Sequence, residues 1–300
     1  MNIAKFEDWI HSRSDRLFDA IRIYLGLGLV GKGVSYLIHL EPLPSLAGVP
    51  WAASLTALVP YIHIVGGLMM AFGIYTRMAA LVQIPILIGA VFIVNLGWMD
   101  TVQMREGFEF SCLVLFLLVL ITLKGSGPLS LLYRRRRASE GPANPYQRWV
   151  ESHSDVFLDL IRAYLGVGLF LKGLFLMEHQ EYYANLFEQS TGWALLTLIG
   201  IHYVIPAHFA GGVALFAGLT TRLAAAVQLP ALIGAIIISL SGMVGAGNRE
   251  SFQFTALVFV LLSVLAVHGS GRLSLDSALK RKDEEVTRLE HEGAVPHPVN

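Results

Sequence analysis

Ionisable side chains occur at matching positions in the two halves of this sequence, inside stretches that are otherwise apolar. Lys32 and His39 are seven residues apart, and Lys172 and His179 repeat the pair in the second half. Because seven residues make almost two helical turns, each pair shares one face of a helix. A charge deep in a bilayer costs roughly 2.5 kcal/mol or more, so we expect these groups to face protein or water rather than lipid. Lysine and histidine in such places can bind a polar ligand group or transfer protons.

A second set of polar residues is predicted to lie at a similar depth. His63 and His208 occupy equivalent places in the two halves, and the fourth apolar segment of each half begins with acidic residues, Glu106 and Glu109 in the first and Glu250 in the second. Each half can therefore place a lysine, two histidines and a carboxylate in the outer half of the membrane. One interpretation is a hydrogen-bonded cluster that fixes helix packing, and the other is a site for a ligand or for proton transfer. We favour the site, because ionisable groups buried in a membrane are functional by default.

Metal and haem sites are less favoured by the same residues. His63 and His208 could be paired haem ligands, but the chain has no His-x-x-x-His spacing and its single cysteine, Cys112, offers no partner. We therefore predict no metal site and keep haem only as the weaker alternative.

Four arginines also recur, and we interpret them as structural. Arg22 and Arg162 stand in the first helix of each half, and Arg77 and Arg222 follow the second. We expect them to reach lipid headgroups or the carbonyls at helix C-termini, with Asp15 and Asp19 as candidate partners.

These residues stand on a repeated pattern of apolar segments. Residues 15–39 align with 155–179, residues 61–90 with 205–235, and residues 105–110 with 249–254. Each half contains four apolar runs long enough to cross a bilayer as helices. The prediction is an all-α integral membrane protein with eight transmembrane helices, arranged as two four-helix repeats. Because four is an even number, both repeats have the same orientation, unlike the inverted repeats of many transporters.

Composition supports this class and sets the topology. Of 300 residues, 54% are hydrophobic and 15% are charged, which does not fit a soluble domain. Sixteen of the 22 lysines and arginines fall on one side of the proposed helices, so we place both termini in the cytoplasm and the chain in the plasma (inner) membrane. The basic run Arg134–Arg137 is interpreted as a topology anchor that contacts anionic lipid, not as a nucleic-acid site.

The repeats also predict the domain boundaries. We expect a first four-helix repeat over 1–137, a cytoplasmic linker over 138–148, a second repeat over 149–280 and a cytoplasmic tail over 281–300.

Three motifs resemble the DoxX family of four-helix membrane proteins, which includes the DoxD subunit of thiosulfate:quinone oxidoreductase. R-x-x-L-G-x-G-L-x-x-K-G spans Arg22 to Gly33, and G-G-x-x-x-x-x-G-x-x-T-R spans Gly66 to Arg77. G-S-G-R-L-S-L-D follows the last apolar run from Gly269, and all three recur at equivalent places in the other half, the last as the weaker G-S-G-P-L-S-L. The chain departs from the family in being a tandem fusion, and in having His63 and His208 where relatives commonly have glutamate.

The resemblance implies a membrane component tied to redox work. We expect a redox-associated subunit that binds a quinone or a similar small apolar ligand near the outer half of the helices and acts with other membrane or extracytoplasmic redox subunits. The histidine substitutions put any chemistry that relies on that glutamate in doubt, and whether the chain is itself an enzyme is left open. The alternative is a non-enzymatic lipid or small-solute transporter, or a structural subunit of a larger membrane complex.

Overall fold

The structure is a computed structural model that describes residues 14–39, 56–95, 102–133, 145–181, 184–185, 188, 194–240 and 248–291. Over these residues the chain is helical and contains no strand, as the sequence predicts.

Four long helices form the first half. They are α1 (Ser14–Leu37), α2 (Val59–Phe72), α3 (Thr76–Gly89) and α4 (Val102–Lys124). The end of α3 widens into a π-helical segment, Ala90–Asn95, which the hydrophobic pattern did not predict. Helix α2 packs against both α1 and α3, and α3 packs against α4.

The second half repeats this order. The short helix α5 (Pro145–Ser152) precedes α6 (Ser154–Glu178), α7 (Ala194–Ala217), α8 (Thr221–Leu240) and α9 (Asn248–His268). The last helix, α10 (Leu275–His291), is rich in charged residues, as expected for a segment in water. Helices α6 to α9 correspond to α1 to α4.

Six helical segments are long and apolar enough to cross a membrane. They are Thr76–Val94, Arg105–Lys124, Ser154–Glu178, Gly200–Ala217, Thr221–Leu240 and Ser251–His268. Helix α1 has the length, but its Asp, Arg and Lys residues lower its mean hydropathy, and the described part of α2 has only 14 residues. Large apolar side chains on the helices remain exposed, such as Phe92 at 61% and Val65 at 57%, which suits a surface covered by lipid. The protein is therefore a multi-pass membrane protein.

Helices α1 and α2 approach closely because small residues line their contact. A Cβ added to Gly26 would lie 2.7 Å from the carbonyl oxygen of Gly67, and one added to Gly67 would lie 2.6 Å from the carbonyl oxygen of Gly26. By contrast, a Cβ on Gly28 would meet nothing within 4 Å. Backbone therefore lies directly on backbone at Gly26 and Gly67, which is how small residues allow helices to pack tightly in membranes.

The chain divides into two compact units. One unit contains the described residues of Met1–Phe157 and Leu232–Leu261, and the other contains those of Leu158–Ala231 and Leu262–Asn300. Each unit carries one copy of the polar clusters described below.

Candidate functional site

In the first unit, the carboxylate of Asp19 holds the turn that follows α4. Its oxygens accept hydrogen bonds from the backbone N–H groups of Gly127 (3.1 Å) and Leu129 (2.7 Å), and from the guanidinium of Arg22 (2.9 Å). Asp19 and Arg22 are both 0% exposed. A buried charge is tolerated only when it is paired and hydrogen-bonded, and this carboxylate meets both conditions.

Arg22 extends the same cluster to the end of α2. Its Nη1 donates to the carbonyl oxygens of Met70 and Ala71, at 3.1 Å from the latter. These carbonyls belong to the last turn of α2, where helical carbonyls lack main-chain partners and carry partial negative charge. One buried ion pair therefore joins α1, the end of α2 and the turn after α4. We call this ion pair and the backbone groups that it binds the end cluster, and the second half has an equivalent one.

The second unit builds the same end cluster from its own residues. Arg162 donates to Asp159 (3.2 Å), to the carbonyls of Leu215 (2.5 Å) and Phe216 (2.9 Å), and to that of Leu273 (2.8 Å). Asp159 in turn accepts the backbone N–H of Leu273 at 2.9 Å. In each half the three motifs thus meet at one buried aspartate–arginine pair.

The side chains of the remaining two predicted arginines, which lie at the start of α3 and α8, also reach the C-termini of other helices. Nη2 of Arg77 is 3.3 Å from the carbonyl oxygen of Lys124, at the end of α4, and Nη2 of Arg222 is 3.5 Å from that of His268, at the end of α9. Both arginines therefore contact carbonyls at helix C-termini, one of the two kinds of partner that the sequence predicted for them.

Nearer the middle of the helices, the side chain of Gln83 in α3 lies against Gly66 in α2. A Cβ on Gly66 would come within 2.6 Å of Gln83 Nε2, so only glycine leaves room for the amide. Gln83 is 0% exposed, and its Nε2 donates to the carbonyl of Ile62 at 2.9 Å. This bond fixes which end of the amide is oxygen, and Oε1 is the end that remains for another partner.

That partner is His63, one of the predicted site residues. His63 Nδ1 lies 2.6 Å from Gln83 Oε1, and the histidine is only 5% exposed. Because an amide oxygen can only accept, Nδ1 must carry the hydrogen. The neutral imidazole then has its lone pair on Nε2, which can accept a hydrogen bond or a proton.

Lys32 and Tyr36 of α1 complete the cluster around His63. The ring of Tyr36 stacks on that of His63, with centroids 6.3 Å apart and planes 25° apart. The ammonium of Lys32 lies 5.3 Å from the centre of the Tyr36 ring and acts electrostatically on His63. Lys32 is ten residues from Arg22, so this polar cluster lies about 15 Å along α1 from the end cluster. We call Lys32, Tyr36, His63 and Gln83 the histidine–glutamine site.

The equivalent site in the second unit has a different hydrogen-bonding arrangement. His208 Nδ1 lies 2.8 Å from the carbonyl oxygen of Val204 in its own helix. Gln228 still donates from Nε2 to a carbonyl of α7, that of Ala207, but its Oε1 is buried and has no hydrogen-bond partner among the described residues. Lys172 acts electrostatically on His208, and Leu176 stands where the first copy has Tyr36.

The two predicted histidines at the ends of the first helices occupy different surroundings. His39 follows the end of α1 in a left-handed conformation (φ 56°) and is exposed. His179 is half-buried, with Nδ1 3.1 Å from the carbonyl oxygen of Phe175 and its ring against that of Phe175.

The predicted acidic residues lie near the start of α4. Glu106 accepts a hydrogen bond from the hydroxyl of Ser251, and Glu109 forms an ion pair with Arg105 at 3.0 Å. The side chain of Glu250 lies outside the described residues.

Several residues of these clusters were not among the predicted site residues. Gln83 and Gln228 match between the halves, and this repetition in an apolar helix was the available signal for them. Asp159 was visible in the same way, as the equivalent of the predicted partner Asp19, whereas Tyr36 has no equivalent and left no such signal.

Chemically, the histidine–glutamine site combines a proton acceptor, a positive charge and an aromatic surface. His63 Nε2 can accept a proton, and Lys32 can stabilise a developing negative charge. Tyr36 can stack on a planar ligand. Such a set can bind a small conjugated carbonyl compound and move protons to or from it.

Comparison with known protein families gives two matches in tandem. Residues 17–96 match the model described as DoxX, and residues 162–291 match the model described as TQO small subunit DoxD. The searches of curated proteins and of solved structures gave no match.

Proposed function

Because the chain belongs to the DoxX family and carries two tandem copies of its domain, we propose that it is a redox-associated subunit of the plasma membrane that binds a quinone or a similar small apolar ligand. The ligand would lie in the outer half of the helices, at the histidine–glutamine site. The DoxD description of the second match, as a small subunit, supports action within a complex.

The contact between His63 and Gln83 is the observation on which this proposal rests. It holds an imidazole in one tautomer inside a membrane bundle, with Nε2 as the acceptor. The fixed tautomer leaves Nε2 as the atom that would face the proposed ligand. Lys32 would donate a hydrogen bond to a ligand carbonyl oxygen, and His63 would hold a proton at Nε2. The chemistry that a bound quinone would supply is the transfer of electrons and protons between partner proteins in the membrane.

The electrons would come from a partner subunit, in the membrane or on its outer face. We infer this because the sequence has one cysteine and shows no flavin-binding motif. Among the described residues, no group of three or more His, Cys, Asp or Glu is arranged to hold a metal.

The proposal includes the topology. We propose eight spans, in which α1 and α2 join the six apolar segments. The repeats over 1–137 and 149–280 would have the same orientation, with the linker (138–148), the tail (281–300) and both termini in the cytoplasm. The end clusters would then lie on the cytoplasmic side and the histidine–glutamine sites towards the outer side.

Purification from membranes tests the binding function. The purified chain should contain an extractable quinone, and the paired variants Lys32→Leu/Lys172→Leu and His63→Leu/His208→Leu, which change both copies, should each lose it. The matched control is Gly28→Ala, which changes the same helix where a Cβ meets nothing within 4 Å. A chain without quinone, whose His63→Leu variant keeps host activity and complex assembly, would instead be a lipid or solute transporter or a structural subunit.

A further inference from the structure

The two histidine–glutamine sites share a lysine, a histidine and a glutamine, but the histidine is hydrogen-bonded differently in each. In the first unit, His63 donates to Gln83 Oε1. In the second, His208 turns to the carbonyl of Val204. The glutamines themselves are alike, because each donates from Nε2 to the equivalent carbonyl of the preceding helix, Ile62 or Ala207. The difference between the copies therefore lies in the histidine.

This difference leaves a hydrogen-bond acceptor unused in the second unit. Gln228 is 0% exposed, and its Oε1 has no hydrogen-bond partner among the described residues. Buried polar atoms in folded proteins are almost always paired, so an unpaired acceptor calls for a donor. The amide of Gln228 does not remove this unpaired oxygen by flipping over, because its Nε2 is held beside Gly211 by the hydrogen bond to the carbonyl of Ala207.

We propose that the site at His208 and Gln228 prefers the hydroxyl-bearing, reduced form of the ligand because of the unpaired Gln228 Oε1, an acceptor that the site at His63 and Gln83 does not offer because His63 occupies it. This inference rests on the proposed function. A quinone has carbonyl oxygens that only accept hydrogen bonds, so it cannot satisfy Gln228 Oε1. A hydroquinone carries O–H groups, and one of them can donate to that oxygen.

The chemistry of the surrounding groups agrees with a hydroxyl ligand. His208 uses Nδ1–H for Val204, so its Nε2 is also an acceptor. Lys172 acts electrostatically on His208, and its ammonium is a donor. A hydroxyl group both donates and accepts, and can therefore serve an acceptor and a donor at once.

Equilibrium dialysis of the full chain in lipid nanodiscs tests the inference. The ligands are a short-chain hydroquinone kept anaerobic, the corresponding quinone, and the hydroquinone dimethyl ether, which keeps the ring but cannot donate. We expect a site in the wild-type chain that binds the hydroquinone about five- to tenfold more tightly than the other two, the difference that one net hydrogen bond makes. Gln228→Met should abolish this preference, and the matched variant Gln83→Met should keep it.

The outcomes separate the inference from the proposed function. Equal binding of the three ligands to the wild-type chain, as when a water molecule pairs with Gln228, overturns the inference and leaves the proposed function standing. Loss of the preference in Gln83→Met but not in Gln228→Met also overturns it. Failure of all three ligands to bind overturns both. The wild-type comparison needs no variant, so it decides even if Gln228→Met does not fold.

Discussion

Arg22 and Asp19 form an ion pair, 2.9 Å from Nε to Oδ1, in which neither side chain is exposed. Both residues are on α1, three positions apart, yet each one binds backbone from another part of the chain. Asp19 holds the turn after α4, and Arg22 holds the end of α2. The pair therefore organises the packing of the first unit at this end.

Replacement of Arg22 should destabilise the protein severely. Arg22→Leu leaves the Asp19 carboxylate buried without its cation, which typically costs about 3–5 kcal/mol of the free energy of unfolding. Denaturant unfolding in detergent measures this loss. Arg22→Lys should restore only part of it, because one ammonium cannot reach Asp19 and the α2 carbonyls as the planar guanidinium does.

The control for this change is Arg16→Leu, because Arg16 is on the same helix but exposed. Surface substitutions usually change stability by no more than about 0.5 kcal/mol. An equal loss in Arg16→Leu and Arg22→Leu would show that the end cluster does not stabilise the fold.

The two buried histidines should respond differently to the same substitution. His63→Leu leaves Gln83 Oε1 buried and unpaired, at a cost of about 1–3 kcal/mol. His208→Leu removes a bond to Val204, whose carbonyl keeps its main-chain partner in α7, so the loss should be smaller. The measurement is the midpoint of thermal unfolding of each variant. Losses of the same size would contradict the two hydrogen-bonding arrangements.

Alanine substitutions at two glycines should have opposite effects on stability, because Gly67 lies in a tight helix contact and Gly28 faces open space. Gly67→Ala places a methyl group 2.6 Å from the carbonyl of Gly26, so one helix must move away, and such overpacking typically costs about 1–3 kcal/mol. Gly28→Ala has free space and should be neutral or stabilising by up to about 1 kcal/mol, because alanine favours the helix. The yield of folded protein after detergent extraction and its unfolding midpoint report both. A stable Gly67→Ala variant would refute the close contact of the two backbones.

The proposed topology can be read by cysteine labelling. In a Cys112→Ala background, Thr101→Cys before α4 should react with a membrane-impermeant maleimide in intact cells, because that end is assigned to the outer side. Asn300→Cys should react only after permeabilisation, because the C-terminus is assigned to the cytoplasm. Labelling of Asn300→Cys in intact cells would reverse the assignment.

Much of the fold could be predicted because membrane helices leave a plain pattern. The apolar runs indicated helices close to those observed, whereas the direct contact of the two backbones at Gly26 and Gly67 appears only in the structure. The π-helical segment Ala90–Asn95 could not be predicted, because a single widened turn does not alter hydrophobic composition.

The candidate site was only partly visible in the sequence. Lys32 and His63 stood out because ionisable groups are expensive in lipid. Gln83 did not stand out, because a neutral amide is less costly and its partner lies twenty residues away. The difference between the two copies was not predictable at all. His63 and His208 are the same residue type, and their rotamers depend on three-dimensional packing.

The end cluster has a consequence for how the protein is made. Asp19 emerges early from the ribosome, but the backbone groups that it binds, at Gly127 and Leu129, are synthesised more than a hundred residues later. Until then the Asp19 carboxylate lacks two of the hydrogen-bond donors that it has in the folded chain. The hydrogen bonds of Asp19 to this turn therefore form only after residue 129 has been synthesised, and the bond of Asp159 to Leu273 forms only after residue 273.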